Sequence, residues 1–375
     1  MIYFDNAAGT LPKPPAVRRA MDEALAGFGN PGRSFHEPAM RAARAVLAAR
    51  TAVAALVGLD DPMRVAFTGS FTEAMSLVIA AYIRPGDRVA VDEAAHNSVL
   101  RPLYRAGAEL EIAPCDALGR VRLDGLLDLI RPGTRAVFLC HGSNVTGNIA
   151  DARAVYRRAQ GVGALMVLDA AQTLGALPVS MDMADILCFT GHKALLGPQG
   201  TGGLIVREGI PTQVAKTGGT GSHTFEPLQA ARMPDAFEAG TPGAHGLHAL
   251  AAGIGCVAGI GLPELARRER ALLNRLHSGI AALPNVRLAG DFAPDERLPI
   301  LSFAVDGLDS AEMSFRLWSE FDIASRPGGH CAPLLHRRLG TVETGLTRLS
   351  LSFMNTADEV DACIAAVEAV ARGAG

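Results

Sequence analysis

A chain of 375 residues exceeds the range over which one hydrophobic core usually grows, so two domains, or one large α/β domain with an appendage, are expected. Its formal net charge of -3, without a run of like charges, excludes the electrostatic footprint of a nucleic-acid or anionic-membrane binder and leaves small molecules and other proteins as partners. The opening MIYFDNAAGT lacks the basic and apolar regions of a signal peptide, and no apolar stretch reaches the ~18 residues of a spanning helix, so a cytoplasmic location is expected.

From about residue 40 to 210, helical patterns alternate with short, β-branched apolar runs. RVAFTGS, DRVAVDE, ELEIAPC, TRAVFLCH, ALMVLDAA, DILCFTG and GGLIVRE read as strands, several apolar almost throughout, as strands buried on both faces are. Segments between them, such as ADARAVYRRAQGVG, carry helical spacing and end in glycine. The alternation predicts a mainly parallel, helix-covered sheet. Residues 214–246, rich in Gly, Pro and Thr, read as a long functional loop leaving the large domain. Beyond it HALAAGIGCVAGIG, LPELARRERALLNRLHSGIAAL and DEVDACIAAVEAVARG read as helices, and LPILSFAVDG and TRLSLSF as strands, which predicts a second, α+β domain.

Open α/β sheets gather their sites at the carboxyl ends of the strands, which directs attention to residues 69–73, 93–97, 141–144, 169–172 and 190–193. Lys193 follows an apolar strand, where burial would lower its pKa toward the neutral amine of Schiff-base chemistry; an ordinary strand-end lysine fits equally. Asp169 ends another strand and could pair with a protonated ring nitrogen or cap a helix. FTGSFTEA places Gly, Ser and Thr where a helix N-terminus could hold a phosphate, although without a GxGxxG or GKS/T signature a plain helix start also fits. Together the three supply what pyridoxal phosphate demands: an amine for its aldehyde, a counter-charge for its ring nitrogen and a phosphate cradle. The six cysteines form no CxxC pair and no Cys/His cluster at metal spacing, so no metal is expected.

GHK with GPQGTGGL, DAAQ, HGSNVTG and EAGTP occur in an order and spacing that resemble the class V, fold type I, pyridoxal phosphate enzymes of the cysteine desulfurase and selenocysteine lyase family. The resemblance runs from YFDNAAGT to TRLSLSFMNT. It implies an α/β fold with a large cofactor-binding domain over residues 16–246, built on a mainly parallel seven-stranded sheet, and a small domain from residues 1–15 and 247–375. Lys193 is implied as the residue that holds the cofactor and moves the Cα proton, Asp169 as the partner of the ring nitrogen, and Gln172 as a hydrogen-bond partner of the phenolic oxygen. His96 would stack on the ring, a residue that without the resemblance reads as a polar loop histidine. Asn144 would lie beside the phenolic oxygen and the substrate carboxylate. The phosphate would rest on Phe71, Thr72, Thr190 and His192, with Thr241 completing the cradle from the partner subunit of a homodimer. Phe71 stands where relatives often carry a small or hydroxylated residue, so only its backbone could serve, and Thr190 replaces the more frequent serine. Arg348, otherwise an ordinary strand arginine, would clamp the substrate carboxylate with its planar fork. Ala7 and Ala8 would approach the substrate through backbone, and Arg33 and His36 would lie near the entrance.

Arg326, Gly328, His330, Cys331 and Ala332 match the segment whose cysteine attacks the substrate sulfur in this family, and their spacing resembles its short-loop type. Arg326 and His330 would lower the pKa of Cys331, thiolate being the reactive form. Cys115, Cys140, Cys188, Cys256 and Cys363 sit in apolar strand or helix contexts and read as core residues. The implied reaction converts L-cysteine to L-alanine and leaves a persulfide on Cys331 for an acceptor protein. Alternatives are a lyase acting on L-selenocysteine, another class V reaction such as a C–S lyase or aminotransferase, and a cofactor-binding scaffold without turnover.

Overall fold

The apolar runs become strands because β-branched and aromatic side chains buried on both faces favour extended backbone, and the runs are bounded by glycines or polar turns. The computed structural model describes residues 1–373 except Arg33, Ser222 and His223. The chain runs through β1 (Ile2–Tyr3), α1 (Pro15–Gly27), α2 (Glu37–Leu56), β2 (Val65–Thr68), α3 (Phe71–Tyr82), β3 (Arg88–Asp92), α4 (Asn97–Arg105), β4 (Glu109–Ala113), α5 (Leu123–Leu129), β5 (Ala136–Cys140), α6 (Ala152–Val162) and β6 (Leu165–Asp169). It continues through β7 (Ile186–Thr190), β8 (Gly202–Val206), α7 (Ala244–Ile260), α8 (Leu262–Ala281), β9 (Val286–Ala289), β10 (Ile300–Val305), α9 (Ser310–Phe321), β11 (Ile323–Ala324), α10 (Pro333–Leu339), β12 (Thr347–Ser350) and α11 (Ala357–Arg372). No single helix among the described residues is long and apolar enough to cross a membrane.

All seven expected strands join one sheet in the order β2-β8-β7-β6-β5-β3-β4. Only β8 runs against its neighbours β2 and β7; the other pairs are parallel. The register sets Cys140 opposite Asp169 and Asp169 opposite Cys188, so the carboxyl ends of β5, β6 and β7 lie on one edge. Val46 of α2, Val155 of α6 and Leu250 of α7 belong to the core on one face, and Met75 of α3 and Leu100 of α4 to a second core.

The expected domain boundary at residue 246 falls inside α7. Leu247, Leu250 and Ile254 of that helix bury their stripe in the core of the large sheet, against α1 and α2, so residues 247–260 side with the large unit. Gly261, at φ 87°, ends the helix, and α8 begins the small unit. There β12, β10 and β9 form an antiparallel sheet. Leu276 of α8, Leu317 of α9 and Val367 of α11 pack with Phe303 of that sheet. The N-terminal residues join it: β1 pairs in parallel with β11, and Phe4 enters the same core. Residues 207–243 contain no helix or strand among those described.

Candidate active site

Parallel strands of one sheet present their carboxyl ends on the same edge, and there they meet the N-termini of α3 and α4, the N-terminal segment, β12 and the turn before α10. The cavity they form is lined by Ala8, Phe71, Thr72, His96, Asn144, Asp169, Gln172, Thr190, His192, Lys193, Cys331 and Arg348. His36, expected near the entrance, and Thr241, expected in the partner subunit's site, do not line it. His36 caps α2 instead, its Nδ1 accepting the Ala39 N–H at 3.4 Å. Thr241 is exposed on the long segment before α7. Arg33 lies outside the described residues.

Lys193 follows β7 in a turn closed by the N-terminal segment, where the Thr10 hydroxyl donates to the Lys193 carbonyl at 2.8 Å. Burial brings its amine down from 10.5 to about 8, while the Asp169 carboxylate pulls the other way. Asp169 is buried at the end of β6, and burial raises its carboxyl to about 6 against the opposing pull of the Ala171 amide and Lys193. Its Oδ1 accepts the Ala171 N–H at 3.0 Å, the only hydrogen bond this carboxylate makes among the described residues. No helix follows Asp169, so it caps a turn and not the helix the sequence allowed, and its second oxygen is left open. Gln172 Nε2 donates to the Ala7 carbonyl at 3.0 Å.

Helix α3 starts at Phe71 behind Ser70, whose Oγ accepts the Glu73 N–H at 3.2 Å. The first-turn amides of Phe71 and Thr72 have no acceptor within the helix, and the positive end of the helix dipole lies there, which suits an anion. The Phe71 ring is in the core, so its backbone alone faces this role. Gly202 lets β8 approach that turn: a Cβ there would stand 2.7 Å from the Ser70 carbonyl carbon and 2.9 Å from the Phe71 nitrogen. Thr72 Oγ1 lies 2.8 Å from Ser98 Oγ, and Thr190 Oγ1 lies 2.9 Å from His192 Nδ1. His96 is the N-cap of α4, its Nδ1 accepting the Ser98 N–H at 3.0 Å, which places the proton of the neutral ring on Nε2. Burial, with Lys193 adding, holds His96 at about 4, so the ring is neutral at physiological pH.

Arg348 in β12 is 2% exposed. Its Nη2 donates to Asp5 Oδ1 at 2.7 Å and its Nη1 to the Asn144 carbonyl at 2.9 Å, while Nε is buried without a partner. A buried guanidinium with an open N–H suits an anionic ligand.

Cys331 is exposed at the same cavity. It and His330 have φ of 58° and 46°, the left-handed region that costs residues with a Cβ. Three bonds hold the turn. The Asn97 N–H donates to the Cys331 carbonyl at 2.8 Å, Asn144 Nδ2 to the His330 carbonyl at 2.7 Å, and His330 Nε2 to the Arg326 carbonyl at 3.1 Å. Burial, with Arg348 nearby, puts His330 at about 3, so it is neutral and lends no positive charge to Cys331. Arg326, the other residue expected beside Cys331, lines the cavity.

Cys140, expected in the core, also lines the cavity from the end of β5. Burial and the Asp169 carboxylate push its thiol well above the ordinary value, so it stays protonated. Cys115, Cys188 and Cys363 are buried and Cys256 half-buried. Ser98 escaped the sequence reading; its only signal was its place two residues after His96, in the first turn of a helix.

The family model described as aminotransferase class-V matches residues 2–363. A protein of Mycobacterium leprae named probable cysteine desulfurase 1 is 32% identical over 100% of this chain and 62% of its own length, so the chain spans less than two thirds of that relative. A probable cysteine desulfurase of Pseudomonas aeruginosa is 34% identical over 96% of this chain and 91% of its own length. The apo structure of a cysteine desulfurase from Thermococcus onnurineus superposes with a TM-score of 0.91 at 31% identity, covering 99% of this chain and 95% of that one.

Proposed function

The chain belongs to the aminotransferase class-V family, and on that premise we propose that it is a pyridoxal phosphate-dependent cysteine desulfurase. It converts L-cysteine to L-alanine and holds the sulfur as a persulfide on Cys331. The observation that carries this reading is a single cavity that unites Lys193 and Asp169 with Arg348 and an exposed cysteine.

The residues fit the cofactor: Asp169 keeps one buried carboxylate oxygen free for a protonated ring nitrogen, and the unpartnered first-turn amides of α3 suit its phosphate. Lys193 would hold its aldehyde, Gln172 and Asn144 its phenolic oxygen, His96 its ring face, and Phe71, Thr72, Thr190 and His192 its phosphate. When bound, it draws electrons from the bonds at Cα of an attached amino acid and so weakens the bond to sulfur.

The protein groups supply the rest. Arg348 binds the α-carboxylate through the guanidinium N–H groups that Asp5 and Asn144 leave unengaged. Lys193, with its pKa at about 8, has enough neutral amine to take the Cα proton onto Nζ. The Cys331 thiolate attacks the substrate Sγ; an S–S bond forms as the Cβ–S bond breaks, and the electron pair leaves with carbon. Protonation at Cβ and return of the Lys193 proton to Cα complete alanine, so L-cysteine plus the Cys331 thiol gives L-alanine plus a Cys331 persulfide. The left-handed turn holds Cys331 at the cavity yet exposed, where a second thiol can reach the persulfide.

A homodimer and a protein acceptor belong to the same reading. Thr241, outside its own cavity, shares its segment with Phe225 and Leu228, which are 100% and 81% exposed and suit a covering partner. The test incubates the protein with L-cysteine, and in parallel L-selenocysteine, and measures alanine together with a 32 Da gain on the Cys331 peptide. Alanine without that gain, or turnover undiminished by Cys331→Ser, refutes the persulfide. A protein that shows no visible absorption after incubation with pyridoxal phosphate refutes the whole scheme.

A further inference from the structure

The resting site already contains an anion for Arg348, and it comes from the N-terminal segment. That segment runs beside β12: Asp5 bridges Ser350, the Ser350 N–H donates to the Phe4 carbonyl at 2.7 Å, and the Ala7 N–H donates to Ser350 Oγ at 2.9 Å. Positions 348 and 350 share one side of the strand, so this backbone ladder brings the short Asp5 side chain diagonally onto Arg348. The pair is largely buried, with side chains 2% and 20% exposed.

We infer that Asp5 is a positioning residue: by fixing the Arg348 fork it sets the preference for substrates that carry an α-carboxylate. The inference rests on the proposed reaction. The guanidinium is anchored at two nitrogens, Nη2 by Asp5 Oδ1 and Nη1 by the Asn144 carbonyl, and two fixed points in a planar group determine where its remaining N–H groups aim. Arg348 lines the cavity, and each of these two nitrogens keeps a second N–H. Asp5 thus leaves Arg348 half engaged, oriented yet open to a second carboxylate. Without Asp5 the fork pivots about Asn144, and the N–H that should meet the substrate has no fixed direction.

An opposing effect must be weighed. The Asp5 charge repels an incoming carboxylate, so its removal relieves that repulsion. Geometry wins here because the carboxylate bond to Arg348 is short and directional only when the fork is held, whereas the repulsion is already offset by the guanidinium between the two anions.

The experiment measures inhibition of L-cysteine turnover by L-alanine and by ethylamine, the same molecule without its carboxylate, in the wild type, Asp5→Ala and Asp5→Asn. Asp5→Ala is expected to raise KM for L-cysteine and Ki for L-alanine on the order of tenfold, the loss of one charge-assisted contact, while leaving Ki for ethylamine unchanged. Asp5→Asn keeps an acceptor and is expected to recover most of the loss. Bound pyridoxal phosphate, released by alkali and measured, should be equal in all three proteins. An unchanged or lower Ki for L-alanine in Asp5→Ala, an equal loss for ethylamine, unequal cofactor content, or no recovery in Asp5→Asn overturns the role of Asp5 and leaves the reaction standing. Absence of alanine from the wild type overturns the reaction, and this role with it.

Discussion

Replacing Asp169 by Asn should make Lys193 a better nucleophile while making the enzyme worse. Lys193 stands at about 8 because burial disfavours its ammonium, and Asp169 opposes that shift. With its own carboxyl at about 6, Asp169 is mostly charged at pH 7 and favours the protonated lysine. Asn removes the charge and keeps the shape, so the pKa of Lys193 must fall further. An opposite charge at such range is worth about one pKa unit or more, which takes the neutral fraction at pH 7 from roughly a tenth to roughly a half. The assay is reductive alkylation of cofactor-free protein with formaldehyde and cyanoborohydride across pH, read at the Lys193 peptide by mass spectrometry. Lys13, which burial alone also brings to about 8, is the internal control and should not move. A Lys193 midpoint that stays or rises in Asp169→Asn would refute the account, and equal movement of Lys13 would assign the change to general distortion. Turnover should drop in the same variant, because the counter-charge for a ring nitrogen is gone.

Three further outcomes are expected. Gly202→Ala drives a methyl into backbone on both sides, with 3.0 Å to the Phe189 carbonyl as well, so thermal melts should show a loss of about 1–3 kcal/mol and dialysis a weaker hold on the cofactor. Asn144→Ala removes the bond to the His330 carbonyl but not the backbone bond to Arg348, so hydrogen exchange should accelerate about fivefold around residues 328–332, equivalent to ~1 kcal/mol. With His96 and His192 at about 4 and His330 at about 3, their rings are neutral above pH 5, so kcat/KM should show no histidine step between pH 5 and 7 and should rise instead through the Lys193 range near 8; an inflection near 6.5 that His96→Gln abolishes would contradict this.

Much of this was legible because strand periodicity and strand-end chemistry are local. All seven strands of the large sheet were readable from their apolar runs, and Lys193 and Asp169 from the polar residues that end two of them. The two-residue strands β1 and β11 were not, because they exist only through each other's hydrogen bonds. The packing of α7 on the large unit was hidden for a similar reason: the sequence shows that α7 is apolar but not which neighbour covers it, and α1 and α2 do. That His36 caps α2 was hidden because a cap and an entrance residue look alike until the Ala39 amide is seen against the ring.

By itself the sequence determined which residues are chemically able, since side-chain type and local pattern set nucleophile, base, counter-charge and helix start. Tertiary structure alone decided their states. His330 is adjacent to Cys331 in the chain yet neutral, because burial beside Arg348 removes its charge. Asp5 and Arg348, at opposite ends of the chain, become one ion pair only because the N-terminal segment lies along β12. Desolvation and orientation depend on everything packed around a group, and for those no run of neighbouring residues is a substitute.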